Sequence, residues 1–281
     1  MIIIADSGST KTEWRILQPD GTISQARTSG CNPHHQTAAE MTAHLQKELP
    51  GQIPEGPVEQ LFFYGAGCSS EKSKNIVREA FKVLFPDTEL VIEHDLLAAA
   101  RALCLDEPGV ACILGTGSSS CRYDGKEIAE QVPALGYILG DEGSGCDLGK
   151  KVVSDFLRGD MPEHLQARFQ KRFSVTVEEV LDRIYRQAFP KPYLATFSRF
   201  LFHNLKDPYC YTLVYNSFTA FIRTNVLKYE GHQELPVHFV GSIAFYYGNI
   251  LRQAAADQGL RVGRILESPI AGLTLFHGDK D

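Results

Sequence analysis

The chain has 281 residues, 43% of them hydrophobic and 22% charged, and a formal net charge of −6, which suits a globular protein of one large or two smaller domains. Its acidic balance and the lack of any Lys/Arg cluster argue against nucleic acid or an anionic membrane surface as the main partner. No segment reaches the roughly 18–20 apolar residues of a membrane span, and no signal peptide precedes the first strand, so we expect a cytoplasmic protein.

The first predicted element is a strand that runs directly into a polar turn. Residues 2–5 are apolar, and an alternating strand resumes at Glu13 and continues to a turn at 19–21. The residues that join the two strands are Asp6, Ser7, Gly8, Ser9, Thr10, Lys11 and Thr12. Because glycine accepts positive φ, successive backbone amides in such a turn can point toward an anion. The pattern predicts a β-hairpin with a phosphate-sized bend.

Helices and strands then alternate along the chain. We predict a helix over 36–49, a loop over 50–57, a buried strand over 61–64 that ends at 65–67, a helix over 70–85 and a strand over 89–92. This last strand leads to Asp95 and to an apolar helix over 96–104. Such alternation is typical of a layered α/β domain.

A second strand and turn of the same kind follows a break near 106–109. Apolar residues end at a turn formed by Gly115, Thr116, Gly117 and Ser118, after which a strand resumes. Either turn alone is as easily an ordinary tight turn, but two of related shape favour a duplicated core that binds a nucleotide. The better known phosphate loops do not fit. Residues 144–151 depart from the Walker A pattern at two positions, and the dinucleotide-binding motif needs a third glycine that is absent after Gly117.

The remainder of the chain predicts a second α/β unit with a long helical region. A glycine-rich acidic segment at 140–145 precedes helices over about 148–230. A last strand at 236–240 leads to Gly241, Ser242 and a helix over 243–258. We therefore expect two α/β lobes that comprise residues 1–105 and 106–281.

Two aspartates stand at the ends of predicted strands. Asp6 lies beside the first phosphate turn, where a carboxylate would hold a metal on the phosphates, directly or through water; its alternative role is to form the turn itself. Asp95 lies between a strand and a helix, at the edge where open α/β sheets bind ligands. It is our candidate for the base that accepts a proton from a phosphorylated hydroxyl, and its alternative role is to cap the helix.

Other polar residues suit a site for a sugar. Asn32 precedes a proline and Asp141 lies between glycines, and each could bond paired hydroxyls. Asn before Pro is also a normal turn. Gly241 and Ser242 would let a flat base lie over the backbone, or would simply begin the helix that follows.

These motifs together resemble the actin-like ATPase superfamily of sugar kinases, actin and chaperone ATPases. Within it they resemble the family of N-acetylglucosamine kinases and BadF/BadG/BcrA/BcrD-type ATPases, over nearly the whole chain. The first turn is similar to the phosphate-1 motif, residues 115–118 to phosphate-2, and residues 240–244 to the adenosine motif. Residues 139–145 give the most specific match and resemble the kinase branch.

The resemblance implies two ribonuclease-H-like lobes of a duplicated actin-like ATPase fold, with a nucleotide and sugar cleft between them. It implies a kinase that uses ATP and Mg²⁺ to phosphorylate an amino sugar, N-acetylglucosamine first, at its 6-hydroxyl. Asp95 would be the base. The residues that would contact the sugar with it are Asn32, Gly67, Gly117, Ser118 and Asp141. Nucleotide would lie on the two phosphate turns and on Gly241 and Ser242, with Asp6 toward the metal.

The family also contains activator proteins that hold an iron–sulfur cluster between subunits with motif cysteines. The seven cysteines of this chain stand singly, without any Cys-x-x-Cys, which argues against iron–sulfur, zinc and disulfide sites and predicts reduced thiols. The alternative function is an ATPase switch without a sugar substrate, or a kinase for glucosamine, N-acetylmuramic acid or glucose. The sequence leaves the oligomeric state open, with a homodimer among the options.

Overall fold

The computed structural model describes residues 1–8 and 11–278, which divide into two compact units. The first unit comprises described residues of 1–106, 125–127 and 269–278, and the second comprises 107–124 and 128–268. No helix in the described part of the chain is long and apolar enough to cross a membrane.

The elements follow one another in chain order as strands and helices. The first part contains β1 (Ile2–Ser7), β2 (Lys11–Leu17), β3 (Ile23–Ser29), α1 (Ala38–Glu48), β4 (Gln60–Gly65), α2 (Glu71–Leu84), β5 (Glu89–His94) and α3 (Asp95–Cys104). The middle contains β6 (Gly109–Leu114), β7 (Ser118–Tyr123), β8 (Ile128–Gln131), α4 (Gly136–Leu139), α5 (Gly145–Arg158), α6 (Glu163–Phe173), α7 (Val177–Tyr185), α8 (Pro190–His203) and α9 (Pro208–Thr224). After a 3-10 turn (Val226–Lys228) come β9 (Val237–Val240), α10 (Ser242–Tyr246), α11 (Gly248–Ala256), β10 (Val262–Leu266) and α12 (Ile270–Gly278).

Each unit is built on a five-stranded sheet, and the two sheets have the same topology. The first has the order β3-β2-β1-β4-β5 and the second the order β10-β9-β6-β7-β8. In each, the first three strands pair antiparallel as a meander, and the two later strands add in parallel to the other side of the first one. The order and pairing of the five strands thus repeat, which confirms the predicted α/β class and the duplicated two-lobe fold.

Alternating side chains explain the first sheet. Ile3, Trp14 and Ile16 are fully buried, and Trp14 donates a hydrogen bond from Nε1 to Oγ1 of Thr28 across the β2–β3 pair at 3.0 Å. Phe81 of α2 packs against Trp14, with ring centroids 6.0 Å apart. Since apolar side chains on one face of the sheet meet the apolar face of the helix, the hydrophobic effect fixes the strand register.

The C-terminal helix α12 packs in the first unit, on α3. A β-carbon on Gly272 would collide with the carbonyl of Ala102, so the glycine allows the two helices to approach closely. Ile270 and Leu273 share a buried cluster with Ala98. The sequence interpretation assigned 106–281 to the second lobe, whereas the apolar contacts of α12 are with the first.

The element predictions agree with the structure in most places. Both hairpins, the helices near 36–49 and 70–85 and the long helical region are confirmed. The strand at 236–240 is not the last one, because β10 follows and pairs with β9. The helix predicted over 243–258 is two helices, α10 and α11, which meet at Tyr247.

His238 of β9 is a buried histidine whose titration should affect stability. Its Nδ1 accepts a hydrogen bond from the backbone N–H of Arg264 at 2.9 Å. Burial, with the charges of Arg264 and Arg261, lowers the pKa of His238 from 6.5 to about 4. The unfolded chain therefore binds a proton at a higher pH than the folded chain does. Stability from the neutral ring is fully present above pH 6.5 and is lost as the pH falls toward 4.

We expect this histidine to contribute at most about 3 kcal/mol to the loss of stability between these two pH values. Titration by nuclear magnetic resonance should give the His238 imidazole a pKa well below 6.5, and His238→Gln should show a weaker fall in stability with acid in urea unfolding. A measured pKa close to 6.5 would contradict this account.

Candidate active site

Four strand ends of the first sheet meet at one edge. β1, β3, β4 and β5 run in the same direction, because β2 is antiparallel to both β1 and β3. Asp6 lies near the carboxyl end of β1, Asn32 follows β3, Gly67 follows β4, and Asp95 follows β5. The topology therefore places four of the predicted site residues at the same edge, where ligands of such sheets bind.

Asp6 lies in a strongly negative environment. Burial, together with the neighbouring charges of Asp95 and Glu13, raises the pKa of Asp6 to about 7, and Lys11 opposes this only weakly. A buried carboxylate with two acidic neighbours and one basic neighbour lacks compensating positive charge. The pattern is typical of functional sites, and a cation beside Asp6 would relieve it.

Asp95 is the first residue of α3, and His94 caps this helix. The His94 side chain accepts a hydrogen bond from the backbone N–H of Leu97. The capping role that the sequence left open for Asp95 thus falls to its neighbour. A carboxylate in the first turn still interacts favourably with the helix dipole.

Asn32 and Gly67 are in direct contact. A β-carbon on Gly67, whose φ is +86°, would lie 2.6 Å from Oδ1 of Asn32 and 2.9 Å from the ring of His34. The same Oδ1 accepts a hydrogen bond from the backbone N–H of His34 at 2.9 Å. Asn32 therefore forms the local turn that its sequence context predicts, and Gly67 leaves room for it.

The first phosphate turn is closed by a backbone hydrogen bond from Gly8 N–H to the carbonyl of Lys11 at 3.0 Å. Thr12 is fully buried and its Oγ1 donates to the carbonyl of Ser29 at 3.0 Å, so its hydroxyl holds the strands together. Lys11 pairs with Glu13 at 2.7 Å. The predicted residues Ser9 and Thr10 lie outside the residues that the structure describes.

The second phosphate turn is held against the start of α5. Gly115 N–H donates to the carbonyl of Gly117 at 3.0 Å, and the amides of Gly145 and Cys146 donate to the carbonyls of Gly115 and Thr116 at 2.8 and 3.1 Å. The turn and the glycine-rich segment that was predicted to bind sugar are thus one structure in the second unit.

Asp141 is the centre of this structure. It is 5% exposed and has a φ of +60°, a conformation that Asp tolerates better than most residues. Its Oδ1 accepts a hydrogen bond from the backbone N–H of Ser118 at 3.0 Å, and its Oδ2 lies 2.8 Å from Nζ of Lys191. The two predicted sugar ligands Ser118 and Asp141 are therefore neighbours, joined by a direct hydrogen bond. Asp141 also contacts a lysine that the sequence interpretation missed.

Asp147 holds the loop that carries Asp141. Its Oδ2 accepts hydrogen bonds from Gly143 N–H at 3.3 Å and Ser217 Oγ at 2.6 Å, and it pairs with Lys151 at 2.7 Å. Ser144 caps α5 by accepting from the Asp147 N–H at 3.1 Å. The sequence did reveal a helix start here, but nothing in it indicated this buried anchor.

Gly241 begins α10 and also contacts the second phosphate turn. Its φ is +119°, and a β-carbon there would collide with the carbonyl of Leu114 and lie 3.1 Å from the amide of Gly115. Only glycine fits at this position, because both the conformation and the close approach exclude a side chain. Ser242 is exposed beside it. Gly241 thus begins the helix, as one of the two predicted roles requires, and contact of its backbone with a flat base stays a prediction.

All seven cysteines are buried free thiols. Two of them, Cys31 and Cys68, are adjacent in sequence to residues predicted to bind the sugar, Asn32 and Gly67. Burial raises the pKa of both thiols to about 12. Such thiols remain protonated and are weak nucleophiles and metal ligands at neutral pH. Among residues 1–8 and 11–278, no group of three or more His, Cys, Asp or Glu side chains is arranged to hold a metal.

Comparison with known proteins gives a clear relative. The structure of a putative N-acetylglucosamine kinase from Porphyromonas gingivalis is 42% identical to this chain, and the match covers 100% of this chain and 99% of that one with a TM-score of 0.93. A putative N-acetylglucosamine kinase from Chromobacterium violaceum is 19% identical over 98% of both chains, with a TM-score of 0.75, and shows the shared fold. No model of a protein family matches the chain.

A curated relative has a related name. The N-acetylmuramic acid/N-acetylglucosamine kinase of Clostridium acetobutylicum is 24% identical over 216 residues, which are 70% of this chain and 68% of that protein. The fully covered relative with 42% identity, the repeated sheet topology and the motif residues agree. The chain belongs to the family of N-acetylglucosamine kinases and BadF/BadG/BcrA/BcrD-type ATPases of the actin-like ATPase superfamily.

Proposed function

We propose that the protein is a kinase that uses ATP and Mg²⁺ to phosphorylate an amino sugar, and that the preferred reaction converts N-acetylglucosamine to its 6-phosphate. The observation that carries this proposal is the 42% identity, over 100% of this chain, to a protein titled as a putative N-acetylglucosamine kinase. The arrangement of carboxylates and glycine turns supports it, because phosphoryl transfer depends on positioning and charge rather than on covalent chemistry by the protein.

The first unit would supply the groups that act on the sugar hydroxyl. Asp95 accepts the proton as the hydroxyl oxygen attacks the γ-phosphate in line with the leaving ADP. Asn32 and Gly67 bind sugar hydroxyls at the same sheet edge. Asn32 has a side-chain N–H₂ group left for a ligand, since its Oδ1 is used by His34.

The second unit would bind the phosphates and the adenosine. The amides of Thr116 and Gly117 bind phosphate oxygens, since the Gly115 amide already donates to the carbonyl of Gly117. Gly241 and Ser242 present backbone to the adenine and ribose. Asp141 accepts hydrogen bonds from sugar hydroxyls, and Ser118 lies beside it. Leaving any of these buried polar partners unpaired would cost about 1–3 kcal/mol.

Asp6 would hold Mg²⁺, directly or through water. The residues fit this ion, because Asp6 is a carboxylate with too little neighbouring positive charge, and Mg²⁺ commonly takes one or two carboxylates together with phosphate oxygens and water. When bound, the ion neutralises charge on the phosphates. No group of three or more His, Cys, Asp or Glu side chains in the described part of the chain is arranged to hold a metal, so phosphate oxygens of ATP would supply further ligands.

Two rivals remain. N-Acetylmuramic acid is a candidate substrate because the curated relative is named for both sugars, and glucosamine and glucose are further options. An ATPase switch, which hydrolyses ATP and changes its affinity for a partner, is the rival of another class.

A coupled assay of ADP release tests the proposal. Wild-type protein with ATP and Mg²⁺ should release ADP at least tenfold faster with N-acetylglucosamine than without sugar, since closure on the correct substrate aligns the hydroxyl with the γ-phosphate. N-Acetylmuramic acid, glucosamine and glucose form the panel, and mass spectrometry identifies the product. If no sugar raises the rate and ATP yields only free phosphate, the ATPase switch is the better assignment.

A further inference from the structure

Lys191 at the start of α8 lies over the second phosphate turn. Its Nζ is 2.8 Å from Oδ2 of Asp141, and a β-carbon on Gly117 would collide with the same ammonium group and with the adjacent Cε. Gly117 has no positive φ that would require glycine. The ammonium end of Lys191 and Oδ1 of Asp141 therefore both lie directly over Gly117, in the space that a β-carbon would enter.

The pairing between Lys191 and Asp141 is incomplete. Oδ2 of Asp141 is buried, and no group of the described chain makes a hydrogen bond of good geometry to it. The Lys191 side chain is 36% exposed, whereas that of Asp141 is 3% exposed. An ammonium group has three donors, and among residues 1–8 and 11–278 Asp141 is its one ionic partner. Lys191 thus has donors that face solvent beside a turn whose amides suit an anion.

We propose that Lys191 binds the terminal phosphate of the triphosphate and so acts together with the turn at 115–117 in the second phosphate site. Asp141 is the partner that holds the lysine in place. This inference rests on the proposed nucleotide site at 115–117. The ammonium carries a full positive charge, and hydrogen bonds from charged donors to phosphate are stronger than those from neutral amides. A lysine ammonium is a compact point charge on a flexible stem, so a partner such as Asp141 is needed to hold it over the turn.

Asp141 gives this lysine its position. The carboxylate is fixed on one side by the Ser118 amide, so the ammonium stays over Gly117 before any ligand arrives. The Lys191 side chain would then link Asp141, which is proposed to bind the sugar, to the phosphate turn. Lys191 is a binding residue in this account, and Asp95 keeps the role of base.

The test measures nucleotide affinity in the absence of sugar. Calorimetry with Mg²⁺ compares ADP with AMPPNP, a triphosphate analogue that is not transferred. Lys191→Met should weaken AMPPNP binding about tenfold and ADP binding less than twofold. Lys191→Arg should retain most of the triphosphate affinity, and Lys206→Met, which removes an exposed lysine of the same unit, should change neither affinity.

A second pair of variants keeps the test valid if removal of Lys191 alone destabilises the protein by leaving a buried charge unpaired. Asp141→Asn alone keeps the lysine, and the Asp141→Asn/Lys191→Met double variant replaces the ion pair with a neutral pair. The double variant should lose the preference for AMPPNP over ADP that the single Asp141→Asn variant retains.

Equal weakening of both nucleotides, or weakening of neither, would overturn the proposal. So would a loss of sugar affinity with unchanged nucleotide affinity, which would make Lys191 only a support for Asp141. Because no phosphate is transferred in this experiment, its result does not depend on which sugar, if any, the protein phosphorylates. Failure of the sugar panel and failure of the Lys191 proposal are therefore separate outcomes.

Discussion

Asp95→Asn is expected to lower sugar-dependent turnover by roughly 10²-fold or more, the usual contribution of a general base. Asn keeps the size of the side chain and its hydrogen-bonding oxygen but cannot accept the proton of the hydroxyl. Asp95 lies at the start of α3, close enough for its charge to raise the pKa of Asp6. Affinity for sugar and for nucleotide should stay within a few-fold of wild type, as calorimetry would measure.

The control separates catalysis from helix stability. Glu71 is the acidic residue in the first turn of α2, so Glu71→Gln removes a comparable interaction with a helix dipole, worth about 0.3–1 kcal/mol, at a position without a proposed chemical role. It should keep full turnover. If Asp95→Asn also keeps near-wild-type turnover, Asp95 only stabilises the helix and the base lies elsewhere.

Asp6→Asn is expected to raise the Mg²⁺ concentration required for half-maximal turnover by at least tenfold and to lower the maximal rate. The reason is the loss of the carboxylate that would bind the ion near the phosphates. Sugar binding without nucleotide should be nearly unchanged. Turnover measured against Mg²⁺ concentration, with sugar affinity from calorimetry, gives both quantities.

This variant should also be at least as stable as wild type in the absence of Mg²⁺. The pKa of Asp6 in the folded protein is about 7, above its ordinary value of 3.8, so the charged form opposes folding at pH values above 4. Removal of that charge should raise the midpoint of thermal unfolding at pH 8, and the gain should disappear below pH 4. A large loss of stability at pH 8, or an unchanged Mg²⁺ requirement, would contradict the assignment.

Local patterns allowed most of the fold to be predicted. In both hairpins the strands and their turns are adjacent in sequence, so alternation and turn residues were sufficient. Strand β10 was not predicted because it is short and contains Gly263 and Arg264. It is stabilised by parallel pairing with β9, which the local sequence does not indicate. The assignment of α12 to the first unit was not predicted, because it depends on contacts with α3, which is distant in sequence.

The predicted site residues fall where strand ends converge, which a sequence can indicate. Parallel strands place their carboxyl ends at one edge of a sheet, so the sequence alone was enough to predict that Asp6 and Asp95 lie at the same edge. Lys191 could not be found in this way. It lies between two prolines at the start of α8, a helix that does not directly follow a strand. Only the packing of α8 on α5 brings Lys191 to Gly117 and Asp141.

The packing of α12 on α3 also joins two parts of the chain that are far apart in sequence. The second unit, which comprises residues 107–124 and 128–268, contains its own core, so that core does not depend on α12. α3 begins with Asp95, and its apolar face around Ala98 and Ala102 is covered in part by Ile270 and Leu273. The first unit is therefore complete only when α12 has packed on α3, and a chain that lacks α12 would expose apolar surface on the helix that begins with the proposed base.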